Sequence, residues 1–152
     1  YAARMDKRQF RVYCIMSDGE QEAGNTWESA MFAGKYRLNN LTAIIDRNNI
    51  QIDGMTEDIM PLEPLEQKYK AFNWNVINVD GHNIREFVNA VGLAKATLER
   101  PTVIIAHTIP GKGVPDIEGD YTWHGIPPKP DEAKHFINDI RTLKGKIKSE
   151  HQ

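Results

Sequence analysis

The sequence predicts an α/β domain: a doubly wound, mostly parallel sheet with helices on both faces. Three observations point to it. Four short apolar runs, at residues 10–16, 41–45, 75–79 and 101–108, alternate with stretches of helical periodicity. The first run, FRVYCIM, is apolar almost throughout, as suits a strand buried on both faces of a parallel sheet. The first two runs end in polar clusters, Ser17-Asp18-Gly19 and Asp46-Arg47-Asn48-Asn49. The chain has 152 residues, room for one domain with a real core. Its net charge of −2 and pI near 6.2 give no nucleic-acid or membrane surface. No apolar run approaches the roughly 20 residues of a membrane span. One cysteine, Cys14, excludes a disulfide framework, is expected in the core, and makes the cytoplasm the default compartment.

In chain order, residues 1–8 read as the tail of a helix already under way. After the first strand, Asn25 is expected to cap a helix, with Glu28 three residues on completing a capping box. Trp27, Ala30, Met31, Gly34 and Leu38 form its expected inward stripe. The second strand, LTAII, leads to the Asn-rich turn and then to a loop with two prolines. Residues 64–72 read as a short helix and 75–79 as a strand. The turn Asp80-Gly81-His82-Asn83 follows, where His82 is expected in a structural role. Asn83 and Glu86 repeat the capping spacing ahead of a helix carrying Ile84, Phe87, Val88, Val91 and Leu98. After the fourth strand, residues 109–129 hold four glycines and four prolines. An irregular segment of that length in a compact domain is usually functional. From Asp131 a last helix is expected, with Ala133, Phe136, Ile137, Ile140, Leu143 and Ile147 on one face. Lys144, Lys146 and Lys148 lie near its end, complementing the helix dipole.

The two polar strand ends define the candidate site. Ligands bind open α/β sheets outside the carboxyl ends of the strands. Asp18 offers a carboxylate and Asn48 an amide oxygen, hard donors suited to Mg²⁺ or Ca²⁺. Thirty positions separate them, room for one helix and one strand, so neighbouring parallel strands would bring both to one rim. Asn48 alone reads equally as a left-handed turn residue. The helix start after Gly19 would add free N–H groups beside an anion.

Six motifs in register carry a resemblance: Ser17-Asp18-Gly19, Trp27-Glu28, Asp46-Arg47-Asn48, Gln51-Ile52-Asp53-Gly54, Gly111-Lys112-Gly113 and Trp123-His124-Gly125. Together they resemble the N-terminal, diphosphate-binding part of transketolases, members of the thiamine-diphosphate enzyme superfamily, and especially the form whose two halves are separate chains. The resemblance covers nearly the whole chain. It implies residues 1–152 as a diphosphate-binding domain, lacking the family's N-terminal segment and its pyrimidine-binding domain. It implies thiamine diphosphate and Mg²⁺ (or Ca²⁺) as cofactors, with Asp18, Asn48 and the Ile50 carbonyl as metal ligands. Gly19, Glu20 and His124 join those three as cofactor-binding residues. The resemblance also implies His124 and Glu28 as catalytic residues: His124 would face the diphosphate and the substrate hydroxyls, and Glu28 would lie near the dimer interface in an acidic network linking the two cofactor sites. Lys112 reads either as a phosphate neighbour or as an exposed lysine. The implied reaction moves a two-carbon ketol unit from a ketose phosphate to an aldose phosphate, as in the pentose phosphate pathway. Catalysis would need a C-terminal partner subunit with the pyrimidine-binding domain, in a dimer of that pair.

Two departures stand against the family pattern. Ser17 replaces the usual first glycine of the turn, and Ala23 stands where many transketolases carry a glutamate, with Glu22 one place earlier. Deoxyxylulose-phosphate synthases, dihydroxyacetone synthases and 2-oxoacid dehydrogenase components share the Asp-Gly to Asn pattern and are the alternatives among enzymes. A non-catalytic cofactor-binding subunit is the alternative of another class.

Overall fold

In a computed structural model of the chain, which describes residues 1–142, the apolar runs form a parallel sheet. The order of elements is α1 (Ala2–Met5), β1 (Val12–Ser17), a 3-10 turn (Gly19–Glu22), α2 (Gly24–Lys35), β2 (Leu41–Arg47), β3 (Ile50–Gln51), β4 (Gly54–Met55), α3 (Thr56–Ile59), α4 (Leu65–Ala71), β5 (Asn75–Asp80), α5 (Ile84–Ala96), β6 (Thr102–His107), a second 3-10 turn (Tyr121–Trp123) and α6 (Pro130–Thr142). The main sheet has the order β1-β2-β6-β5, and each neighbouring pair is parallel. The register pairs Ser17 with Asp46, Arg47 with His107, and His107 with Asp80. All four carboxyl ends therefore share one rim. β3 and β4 form a small antiparallel hairpin just beyond it.

Alternation along the strands sends side chains to two separate cores. On one face Ala43, Ile45, Val103 and Ile105 pack against Ala30 and Ala33 of α2 and Leu65 and Tyr69 of α4. On the other, Val79, Ile104 and Ala106 pack against Ala90 and Ala94 of α5. This is the doubly wound α/β arrangement expected, with helices on both faces.

Several expectations change in detail. β1 is an edge strand rather than a doubly buried one: Phe10, Val12 and Tyr13 are partly exposed, and Ile15 is 76% exposed. Cys14 is exposed as well, so it is not a core residue. Only β2 flanks β1 among the described residues, and a run of apolar letters does not distinguish an edge from a centre. The capping box at Asn25 and Glu28 does not form. The 3-10 turn runs so directly into α2 that the cap position falls on Ala23, which has no side-chain acceptor, and Asn25 lies within the helix. Met31 is exposed, and Ala33 takes its place on the buried face. On α5 the small residues Ala90 and Ala94 set the sheet-facing side, leaving Ile84 and Val88 exposed, and the helix ends at Ala96, so Leu98 lies beyond it, also exposed. Asn83 does cap this helix, its Oδ1 accepting from the Glu86 N–H at 3.2 Å. On α6, Phe136 is buried while Ile137 and Ile140 are about half exposed. The expectations for Leu143, Lys144, Lys146, Ile147 and Lys148 lie outside the described residues.

One close approach fixes how α2 sits. A Cβ on Gly34 would fall 1.8 Å from the Phe72 carbonyl oxygen, a backbone atom that no rotamer change can move aside. Gly34→Ala is therefore expected to destabilise the natural-length chain by about 2–3 kcal/mol in urea unfolding. Helix propensity alone would give the opposite sign, a gain of about 1 kcal/mol; a stabilised variant would show that the contact is not formed.

Candidate functional site

β1 delivers Asp18 to the rim fully buried, at 0% exposure. Its two oxygens are used unequally. Oδ2 accepts from Arg47 Nη1 at 2.9 Å, from the Asn49 N–H at 2.7 Å and from Thr56 Oγ1 at 3.2 Å. Oδ1 accepts from the Gly19 N–H at 3.0 Å. That N–H is thus turned to its neighbour's carboxylate, not outward to a phosphate. Arg47, at the last position of β2, is only 2% exposed. Its Nη2 donates to Glu57 and, at 3.3 Å, to Glu63. Burial opposes the Arg47 charge, but hydrogen bonds to Asp18, Glu63 and Glu57 outweigh it and hold its pKa above the ordinary value.

The two consecutive asparagines divide the turn between them. Asn49 adopts the left-handed backbone, with φ 63°. Asn48 therefore keeps its side chain for other contacts. Its Nδ2 donates to Asp46 Oδ2 at 3.1 Å, and its Oδ1 accepts from the Ile50 N–H at 3.0 Å, retaining one lone pair. Asp46 is itself held by the Thr108 hydroxyl.

Asn48 and Ile50 line a cavity of about 180 Å³ together with Gly111, Asp120, Trp123 and His124. Two distant sequence segments thus meet at the strand ends. Gly111 has φ +71°, and a Cβ there would meet Ile117 at 2.9 Å, so the Gly111-Lys112-Gly113 turn needs its first glycine. Asp120 holds the second 3-10 turn through Thr122, whose backbone N–H and hydroxyl both donate to Oδ1 and keep the Asp120 carboxyl below its usual range. A larger cavity of about 640 Å³ lies at the opposite, amino ends of the strands. Its Arg4 and Arg11 are engaged with backbone carbonyls, and none of the motifs reaches it.

Other expected residues fall elsewhere. Glu20 folds back on Ser17, accepting from its N–H at 2.7 Å, and does not line the cavity. Glu28 is exposed on α2, also outside the cavity lining. Lys112 forms an ion pair with Glu118 at 3.0 Å. His82 is structural as expected: its Nε2 accepts from the Ile109 N–H at 2.8 Å. The residues not singled out from sequence are Thr56, Glu57, Glu63 and the role of Arg47. The available signal was a charged residue closing the otherwise apolar LTAII strand.

Among the described residues no group of three or more His, Cys, Asp or Glu side chains could hold a metal alone. The candidate set has one carboxylate, one amide oxygen and one backbone carbonyl. That composition fits Mg²⁺, which takes few protein ligands and completes its shell with phosphate oxygens and water.

Comparison with known proteins identifies the family. Residues 3–143 match the family model of the transketolase thiamine diphosphate binding domain. The chain belongs to this transketolase family. It is 47% identical over 82% of its length to a 6-deoxy-6-sulfo-D-fructose transketolase subunit from Clostridium sp. (strain MSTE9), covering 46% of that protein. It is 36% identical over 99% of its length to an apulose-4-phosphate transketolase subunit from Phocaeicola vulgatus, covering 53% of it. A crystal structure of Pichia stipitis transketolase with sedoheptulose 7-phosphate superposes with a TM-score of 0.82 at 29% identity, over 88% of this chain and 20% of that one. The chain thus spans about half the length of the two subunit relatives.

The Arg47 cluster makes acid stability testable. Burial pushes Glu57 up, but the N–H groups of Leu62 and Glu63 together with Arg47 outweigh it, so its carboxyl sits below the ordinary range. A lowered folded pKa contributes stability that is present above the unfolded value, near 4.3, and is lost as pH falls through the folded one. The thermal midpoint of the natural-length chain is expected to fall on acidification below about pH 4.3. Glu57→Gln should start lower at neutral pH and decline less over that window.

Proposed function

We propose that this chain is the diphosphate-binding subunit of a two-chain transketolase, acting with a C-terminal partner subunit that carries the pyrimidine-binding domain. The complex would transfer a two-carbon ketol unit from a ketose phosphate to an aldose phosphate, with thiamine diphosphate and Mg²⁺ or Ca²⁺. The observation that carries this reading is the meeting of Asn48, Ile50 and His124 at one cavity on the strand-end rim; Asp18, buried and outside the cavity lining, is joined to that rim through the Asn49 N–H. The family assignment supplies the cofactor, and the two relatives named as subunits support a divided enzyme. Those relatives are named for different sugars, so the substrate is proposed only as a class.

Asp18, Asn48 and the Ile50 carbonyl would hold the metal and, through it, the diphosphate. Thiamine diphosphate, when bound, supplies the electron sink for carbon–carbon cleavage. The residues of this chain contribute placement and charge. His124, exposed at the mouth of the cavity, would hydrogen-bond the diphosphate or a substrate hydroxyl through its ring nitrogens. The Trp123 ring packs edge-on against Phe136 at 5.5 Å, which anchors the His124 segment to α6. Glu28, exposed on α2, would meet a second chain. Residues 1–152 would form one diphosphate-binding unit, a reading supported by the family match over residues 3–143. An exposed, free Cys14 agrees with the reducing cytoplasm.

The test is calorimetric titration of thiamine diphosphate into the natural-length chain mixed with its partner, with and without Mg²⁺. Metal-dependent binding is expected, and Asp18→Ala should abolish it. No binding by the well-folded assembly would overturn the enzyme reading in favour of a non-catalytic role. In ketol-transfer assays the single chain is expected to be inactive without its partner; turnover by the chain alone would refute the divided-site proposal.

A further inference from the structure

We propose that Arg47 is a positioning residue for the metal: with Thr56 and the Asn49 N–H it pins Oδ2 of Asp18, so that Oδ1 is the oxygen offered to the ion. This inference rests on the metal site proposed above. Three donors converge on Oδ2, at 2.7, 2.9 and 3.2 Å, while Oδ1 receives one. A carboxylate oxygen offers about two lone-pair sites, so Oδ2 is saturated and Oδ1 retains capacity. A carboxylate on a strand end would otherwise rotate between its two oxygens. Here a buried guanidinium, a backbone N–H and a buried hydroxyl fix the plane.

The charges of the cluster agree with that role. A lone guanidinium beside a metal ligand would repel a cation. Arg47 instead faces three carboxylates, Asp18, Glu57 and Glu63. The cluster is therefore net negative, and a divalent cation at Oδ1 would neutralise it. Arg47 also ties the segment from Thr56 to Glu63 to the metal-facing rim. Glu57 extends that link by accepting from the Leu62 N–H at 3.1 Å.

The experiment uses the natural-length chain with its partner and measures Mn²⁺ binding by electron paramagnetic resonance in the presence of thiamine diphosphate. Thr56→Val removes one donor to Oδ2 at constant volume and charge. Arg47→Lys keeps the charge but loses the fork. Arg47→Lys is expected to weaken Mn²⁺ binding about tenfold or more, as removing the partner of a metal ligand commonly does; Thr56→Val, which removes the longest of the three bonds, is expected to weaken it less. Cofactor affinity at saturating Mn²⁺ should return to the wild-type value. A merely structural role would lower the melting temperature without changing the metal constant of the folded protein. Folded Arg47→Lys with a metal constant within about twofold of wild type would overturn the inference and leave the proposed function standing. Tighter metal binding by Arg47→Met would overturn it too, since that sign belongs to simple charge repulsion. Should wild-type protein bind neither Mn²⁺ nor cofactor, both readings fail; if Arg47→Lys does not fold, Arg47→Met decides, and a metal constant no weaker than wild type overturns the inference.

Discussion

The rim of the sheet depends on the buried ion pair between Asp18 and Arg47. Both side chains are withdrawn from water, and desolvation of two charges costs several kcal/mol per ion before any attraction is counted. The structure offsets this with hydrogen bonds on every side. Asp18 accepts four, and the Arg47 guanidinium reaches three carboxylates. Those bonds run between β1, β2, the asparagine turn, α3 and the segment ahead of α4. Loss of either partner would strand the other charge, at a cost of about 3–5 kcal/mol. The pair thus joins elements that the apolar cores do not hold together at this edge.

Two dry cores support the polar rim from below. Val103, Ile104 and Ile105 on β6 are buried in succession, alternating between the faces covered by α2 with α4 and by α5. A strand so placed contributes to both cores and fixes the height at which its neighbours end. The parallel register then aligns Asp46, Ala106 and Val79, and the next residues on are the polar ones. Gln21 extends the tie sideways. Its Nε2 donates to the Ser17 carbonyl and its Oε1 accepts from the Tyr69 hydroxyl, connecting the turn after β1 to α4. Burial pushes the Tyr69 phenol well above its usual range, so it stays a hydrogen donor at any physiological pH.

The alternation of strands and helices could be read from the sequence because each apolar run is short, bounded and followed by a helical period. Asp18 and Asn48 could be read because oxygen donors closing apolar strands need a reason to be there. What escaped was set by neighbours rather than by the segment itself. FRVYCIM looks doubly buried, yet strand order places it at an edge, and order is not written in a single strand. The helix faces differ from expectation where alanines lie against the sheet: large residues draw attention, but Ala90 and Ala94 permit the close packing, which turns Ile84 and Val88 outward. The cap at Asn25 does not form because the helix follows the preceding 3-10 turn directly and starts two residues earlier, with its cap at Ala23. Arg47 was visible only as part of a motif, since its partners Glu57 and Glu63 lie 10 and 16 residues further on.

The adjacent asparagines show how function is separated from folding within this rim. A single Asn at the turn would have to supply both the left-handed backbone and a side chain for the cavity. Asn49 takes the backbone requirement, and its N–H goes to Asp18 Oδ2. Asn48 is then oriented from outside the turn: Asp46 fixes its amide nitrogen, and Thr108 at the end of β6 fixes Asp46. The orientation of one candidate ligand is thereby set by the sheet, and that of the other, Asp18, by Arg47. Neither depends on the long segment that carries His124. That segment can therefore vary without disturbing the orientation of either Asp18 or Asn48.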